Sequence, residues 1–205
     1  MSDQRSKEWF ESRSGKFTSS RINELMGIKG LNQTGHTYAF ELAIEIVEGR
    51  NEDDGYVSYD MQRGIELEPY AFNKFSQLME LRFSTVSKCG FIALNQNTGS
   101  SPDGLVDDDG VLEIKCPTPK VFFKLVLDGV IDQKHYDQMQ HQMYCTGRRK
   151  AYYFNYCIYN GVELWHLIEV PRDTQRIWLM RSRINSAIAV RDGIVKQLKE
   201  NRQYA

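Results

Sequence analysis

Ser101-Pro102-Asp103-Gly104 and Glu113-Ile114-Lys115-Cys116-Pro117 bracket a segment that can fold in few ways. Asp107-Asp108-Asp109-Gly110 between them is a strong turn signal, and Val111-Leu112-Glu113-Ile114-Lys115 alternates as a half-buried strand does. The stretch therefore reads as a β-hairpin in which Glu113 and Lys115 share one face and Leu112 and Ile114 the other. Where Asp103 points depends on the turn. A bulged turn, or one with an odd number of residues, sets Asp103 opposite Glu113 on the same face, and an even, regular turn points it away.

Around this hairpin the pattern runs helices, mixed sheet, helices, which implies an α/β or α+β fold with a central mixed β-sheet flanked by helices. Thr18 or Ser19 can cap a short helix through Met26, Gly27 to Gly35 reads as loop, and Thr37 opens a helix to about Glu48. Asn51-Glu52-Asp53-Asp54-Gly55 is a polar loop. A long helix follows over about Ser58 to Met79, with Pro69 expected to kink or restart it. Strands are predicted over Thr85–Leu94, Ser101–Val106 and Val111–Lys115, then helices over Val121–Leu127 and Lys134–Thr146. Two aromatic and β-branched runs, Ala151–Tyr159 and Val162–Val170, flank Asn160-Gly161, a hairpin turn. A final amphipathic helix over about 174–200 carries Ile177, Met180, Ile184, Ile188, Ile194 and Leu198 on one stripe.

At 205 residues the chain is most simply one domain, 1–205, with a helical part over about 1–80 and a sheet core over about 85–170. Cys89, Cys116, Cys145 and Cys157 show neither zinc-ligand nor disulfide-framework spacing and read as buried thiols in a reducing compartment. With a polar N-terminus and no membrane-length apolar run, a soluble cytoplasmic protein with no membrane partner is expected. Net charge is −1, but residues 172–202 hold eight Lys/Arg against three acids. That excess suits a nucleic-acid groove or an ordinary solvated helix face.

The chemistry sits on the hairpin. Hydrolysing a phosphodiester takes an activated water, neutralised phosphate charge and a stabilised leaving oxygen, and carboxylate-held divalent cations supply all three. Asp103 and Glu113 are hard oxygen ligands suited to Mg²⁺, the Ile114 carbonyl lies beside them, and Lys115 would aim a charge at the water or the phosphate. That use of the face requires the odd or bulged turn. Glu68, on the preceding helix, is the kind of carboxylate a second ion needs, although Glu66 and Glu68 also read as surface residues. Arg13-Ser14-Gly15-Lys16-Phe17-Thr18-Ser19-Ser20-Arg21 offers a guanidinium, hydroxyls and a helix start that could seat a terminal phosphate, or simply a capped helix. Gln138 and Gln142 lie one turn apart and could line a polar groove. His36, His135, His141 and His166 are scattered and make no metal or triad spacing.

Read together, these pieces resemble the phage-lambda-type alkaline exonucleases, or viral recombinase exonucleases, a branch of the PD-(D/E)xK nuclease superfamily with a restriction-endonuclease-like core. The resemblance runs from Glu8-Trp9 to about Val170. Its anchors are Arg13-x-Gly15-x-x-Thr18-x-Ser20, Gly64-x-x-x-Glu68, Ser101-Pro102-Asp103-Gly104-Leu105, Glu113-x-Lys115-Cys116-Pro117 and Gln138-x-Gln140.

The resemblance implies a toroidal homotrimer that threads duplex DNA, digests the 5′-ended strand and leaves a 3′ overhang, working with a single-strand annealing recombinase. It implies that Asp103, Glu113 and the Ile114 carbonyl bind Mg²⁺ (two ions, or Mn²⁺ in their place), that Glu68 helps at the second ion, and that Lys115 orients water. Arg13 and Ser20 would hold the 5′-phosphate with Ser101 and Gln138, Trp9 would stand near the DNA end, and Met61 would part the terminal base pairs. The segment after Met26 is shorter and less basic than is usual in the family. Arg148, Arg149, Lys150 or the basic C-terminal helix would then have to compensate. Tyr152, Tyr153, Phe154 and Tyr156 could serve the core or a subunit interface. Two other readings remain: a structure-specific or restriction-type endonuclease of the same superfamily, and a non-catalytic DNA-end-binding module.

Overall fold

Gly110–Lys115, expected to be a half-buried strand, is buried on both faces up to Ile114, because it is the middle strand of five. The computed structural model describes residues 6–49 and 58–202; the polar loop expected over Asn51–Gly55 lies outside them. The chain opens with α1 (Lys7–Arg13), β1 (Phe17–Thr18), a 3₁₀ helix (Ser19–Leu25), α2 (Gln33–Glu48) and α3 (Tyr59–Glu80). Short strands follow: β2 (Val86–Ser87), β3 (Ile92–Ala93), β4 (Thr98–Ser100), β5 (Gly104–Val106) and β6 (Gly110–Lys115). Then come α4 (Pro119–Asp128), α5 (Gln133–Thr146), β7 (Lys150–Tyr159), β8 (Val162–Pro171) and α6 (Thr174–Arg202).

The main sheet has the order β2-β5-β6-β7-β8, antiparallel except for β6 and β7, which α4 and α5 connect as a parallel crossover. Leu112 and Ile114 face α3, packing with Phe75, Tyr152, Phe154 and Tyr156. Val111 faces α5, with Met139, Met143 and Tyr153. A third core joins α2, α6 and the 3₁₀ helix. Tyr152, Tyr153, Phe154 and Tyr156 are thus all consumed by the chain's own core, which removes them as an interface. The turn at Asn160-Gly161 is as expected, both residues having positive φ (50° and 77°). No described helix is long and apolar enough to cross a membrane.

Several expectations are corrected. The segment before Gly15 forms α1, capped by Ser6 and burying only Trp9, too short to show periodicity. Thr18 caps nothing: it sits in β1, its N–H donating to the Tyr38 hydroxyl, and the helix that follows is 3₁₀. Helix α2 begins at Gln33 rather than Thr37, because Asn32 Oδ1 accepts from Gly35 N at 3.0 Å. Pro69 neither breaks nor restarts α3, which runs unbroken to Glu80 with the proline on its exposed side. The strand predicted over Thr85–Leu94 is two strands in different sheets, since β3 pairs with β4, and β4 with β1, in a separate three-stranded sheet. Ser101–Val106 is strand only from Gly104, because Ser101 to Asp103 carry the chain from one sheet to the other. Cys89, Cys145 and Cys157 are buried free thiols, while Cys116 is half-exposed.

Candidate active site

The turn between β5 and β6 holds three residues, Asp107 to Asp109, as the register Val106↔Gly110, Leu105↔Val111 and Gly104↔Leu112 requires. Asp107 takes a positive φ of 44° to close it. Arg148 clamps this turn, its guanidinium donating to the carbonyls of Val106 (3.0 Å), Asp107 (2.8 Å) and Gly110 (2.8 Å). The odd count places Asp103 opposite Glu113, and the Asp103 N–H donates to Leu112 O at 3.0 Å. The Asp103 carboxylate accepts from the Ile114 N–H at 2.6 Å.

Glu113 is buried at 1% exposure and held from two sides. Lys115 Nζ lies 2.6 Å from its Oε1, and Gln142 Nε2 donates to its Oε2 at 2.5 Å. Lys115 also reaches Gln138 Oε1 at 3.4 Å, so both glutamines expected to line a polar groove meet this cluster. Burial first, then the charge of Glu113 and more weakly Glu68, raises Asp103 well above the usual carboxylate range against the opposing pull of Lys115. Burial works against the Lys115 ammonium, but Glu113 and Asp103 outweigh it and hold the lysine charged.

A cleft of about 700 Å³ opens beside this cluster. Ile114, Lys115 and Cys116 from the end of β6, Met61, Arg63 and Glu68 from α3, and Lys134 and His135 from α5 line it. Arg63 fixes α3 at this edge by donating to the carbonyls of Pro117 (2.9 Å) and Cys116 (2.8 Å). Met61 and Glu68 thus share one cleft wall, with Met61 54% exposed.

Two carboxylates, the Ile114 carbonyl and a neighbouring Glu68 are hard oxygen donors, and of the two main causes that raise Asp103, burial and then the charge of Glu113, the second is one a divalent cation would relieve. Among the described residues no three His, Cys, Asp or Glu side chains form a metal cluster by themselves. Two carboxylates and one carbonyl would leave a bound ion's remaining positions to water and substrate oxygens, a coordination Mg²⁺ accepts.

The phosphate-seating residues divide. Arg13, Trp9 and Ser101 converge: Ser101 Oγ accepts from Trp9 Nε1 at 2.9 Å and from Arg13 at 3.4 Å, and the guanidinium stacks 3.9 Å over the indole. Gly15 makes this possible. At φ +68° its N–H donates to Glu45 and its carbonyl accepts from Arg191, and a Cβ there would meet Ile46 at 2.6 Å. Ser20 stands apart, exposed, with its hydroxyl 3.4 Å from Thr18 Oγ1.

The description "YqaJ-like viral recombinase domain" matches residues 8–149, more than half of the chain and every residue of this site. The chain belongs to the YqaJ-like viral recombinase family. Among solved structures, this family member is similar to an alkaline exonuclease from Laribacter hongkongensis, LHK-Exo, at 28% identity and TM-score 0.86, covering 97% of this chain and 99% of that one. The same enzyme in complex with dAMP matches at TM-score 0.84. A phage-related exonuclease from Haemophilus somnus 129PT shares the fold at 17% identity and TM-score 0.66, covering 89% and 96%. Comparison with curated proteins gave no match. The mixed sheet flanked by helices is therefore the alkaline exonuclease fold.

In this viral recombinase domain the candidate cations are largely spoken for. Arg148 clamps the turn, Arg149 and Lys150 pair with Asp109, and Arg172, Arg176, Arg183 and Arg191 tie α6 and its approach to the body. Those last four of the eight cations of residues 172–202 thus hydrogen-bond within the fold. Sequence reasoning missed Arg63, Lys134 and His135 in the cleft. The only signal for them was proximity in sequence to Glu68 and Gln138, since a lone histidine or cation has no pattern.

Proposed function

We propose that this chain is a Mg²⁺-dependent 5′→3′ exonuclease that digests one strand of linear duplex DNA from 5′-phosphorylated ends, leaving 3′ overhangs for recombination by strand annealing. The observation that carries this reading is the Asp103–Glu113–Lys115 cluster at the open end of β6, two opposed carboxylates and one ammonium beside a cleft. Membership of the viral recombinase family and likeness over nearly the whole chain to an alkaline exonuclease support an exodeoxyribonuclease. That relative's complex with dAMP supports a mononucleotide product.

Asp103, Glu113 and the Ile114 carbonyl would hold the cation, with Glu68 at a second ion. When bound, it neutralises charge on the scissile phosphate and eases deprotonation of the attacking water. Lys115, kept charged by Glu113, donates to that water or to a phosphate oxygen. Gln138 and Gln142 keep Lys115 and Glu113 in register. Arg13 and Ser101, braced by Trp9, receive the terminal 5′-phosphate with Ser20 at the edge, and Met61 abuts the last base pair. A homotrimer around the duplex, an annealing recombinase as partner and a cytoplasmic setting in a bacterial or phage-infected cell complete the reading.

The test is digestion of a linear duplex with one 5′-phosphorylated end, with and without Mg²⁺, followed by product sizing. Mononucleotides from the phosphorylated strand, produced only with the cation, are expected. Cleavage of a covalently closed circle, or equal rates from phosphorylated and hydroxyl ends, would overturn the assignment of direction and pocket.

A further inference from the structure

His135 gives the cleft a polar wall that the carboxylate and lysine chemistry does not use. It stands half-buried in the first turn of α5 and lines the cleft with Lys134 and Lys115. Its Nδ1 lies 2.7 Å from the Tyr153 hydroxyl, and Tyr153 sits on β7 in register with Glu113. The ring is thereby tied to the strand that backs the acidic pair. Burial and then the charge of Lys115 push His135 down to about 4, and burial pushes the Tyr153 phenol up to about 12. Both groups are neutral near pH 7. The 2.7 Å contact fits either tautomer, and with the phenol donating to Nδ1 the one N–H of the neutral imidazole stands on Nε2, facing the cleft. Among the described residues no group hydrogen-bonds Nε2.

We propose that His135 is a substrate-contacting residue whose Nε2–H donates to a non-bridging oxygen of the backbone phosphate drawn in beside Lys115, with Tyr153 fixing the tautomer. This rests on the nuclease reading above. A neutral donor suits the place: it adds directional recognition of an anion without repelling Lys115 or the cation held by Asp103 and Glu113. An imidazolium there would do both.

The test is single-turnover digestion of a 5′-phosphorylated duplex in Mg²⁺ by three variants whose melting temperatures are measured alongside. His135→Phe keeps a ring and removes the donor, and should slow cleavage about 10- to 100-fold. His135→Asn restores a donor and should recover to within about 5-fold of the parent rate. Tyr153→Phe releases the ring proton to either nitrogen and should fall between them. Sulfur placed at one non-bridging oxygen of the scissile phosphate weakens the acceptor, so the parent enzyme should discriminate between the two diastereomers more than His135→Phe does. A role confined to folding would leave that ratio unchanged. A Phe variant as fast as the parent, an Asn variant as slow as the Phe variant, or an unaltered diastereomer ratio each overturns the assignment. If the parent enzyme itself leaves this DNA intact, the nuclease reading fails and the His135 proposal with it. Parent activity with an unimpaired Phe variant sinks only the latter.

Discussion

Asp103 and Glu113 face one ammonium, and the imbalance is written into Asp103, whose carboxyl burial and Glu113 together hold well above the ordinary range. Asp103 holds its proton more tightly than an exposed aspartate does, so a cation bound there would compete with that proton. Its affinity therefore falls as pH drops through the raised value and rises above it. Calorimetric titration with Mg²⁺ should show tighter binding at about pH 8 than at about pH 6, with proton release to the buffer; equal affinities with no released proton would remove Asp103 from the ligand set. Asp103→Ala and Lys115→Ala should each lower the cleavage rate by roughly 10²- to 10⁴-fold while leaving DNA-end binding, read by fluorescence anisotropy in Ca²⁺, within about 5-fold. Full activity in both variants would dismantle the site. His141 behaves in the opposite way. It is fully buried, receives the Ser19 hydroxyl at Nδ1 (2.7 Å), and gives Nε2–H to Thr98 Oγ1 (3.0 Å), whose own proton goes to Phe17 O. Burial pushes it down to about 3. Between that value and the unfolded value of about 6.5 only the unfolded chain takes up this proton, so stability is lost as pH falls, by about 2 kcal/mol at about pH 5. The melting temperature of His141→Gln should respond less to acid than that of the parent, and an identical acid slope would show that His141 is charged in the fold.

At the scale of elements, the hairpin β5–β6 is where sequence and chemistry agreed most closely. A period-2 strand, a cluster of turn residues and the need to oppose two carboxylates together required an odd turn, and three residues form it. The pair β7–β8 was equally legible, because long β-rich runs and an Asn-Gly turn leave few alternatives; α6 was legible as a helix, but its buried residues are Ile177, Met180, Ile184, Ala187 and Arg191, and the expected stripe does not stay buried through Ile188, Ile194 and Leu198. Strands β1, β3 and β4 were not, being two or three residues long and fixed by remote partners such as Phe17↔Thr98. The convergence of Arg13, Trp9 and Ser101 depends on that pairing, so resemblance to a family could indicate it and periodicity could not. Arg148 shows the same limit: a basic residue in a loop gave no sign that it would clamp three carbonyls. Arg148→Ala leaves those carbonyls short of their donor and should cost about 2–3 kcal/mol, a fall of roughly 4–12 °C in melting temperature. Because the clamped turn sets the register of Asp103 against Glu113, the cleavage rate of the folded variant should fall as well. Unchanged kinetics in a destabilised variant would separate the turn from the site.

Over the whole molecule, the cations of the C-terminal segment decide how the parts hold together. A local excess of positive charge in an otherwise acidic chain reads from sequence as a surface for DNA, yet Arg191 is 4% exposed in the middle of α6. It donates to Gly15 O at 2.7 Å and Asn97 Oδ1 at 2.6 Å, with Asp192 as its counter-charge, joining α6 to the loop after α1 and the turn before β4. Those are the elements that bring Arg13 to Ser101. Lys196 and Lys199 lie on the exposed side of the same helix, and the Lys196–Glu200 pair is solvent-screened and contributes little to stability. The two classes should respond oppositely to neutralisation. Arg191→Leu strands buried acceptors and should lose about 3–5 kcal/mol, seen as a fall of roughly 6–20 °C in melting temperature, with loss of any preference for 5′-phosphorylated ends in the fraction that stays folded. Lys196→Gln with Lys199→Gln should leave melting unchanged and shift DNA-end affinity less than about 2-fold across a salt titration. A steep loss of salt-dependent affinity in the double variant would instead make the outer face of α6 the surface that grips the duplex, and the interior ties of Arg172, Arg176, Arg183 and Arg191 would then be what orients that face toward the cleft.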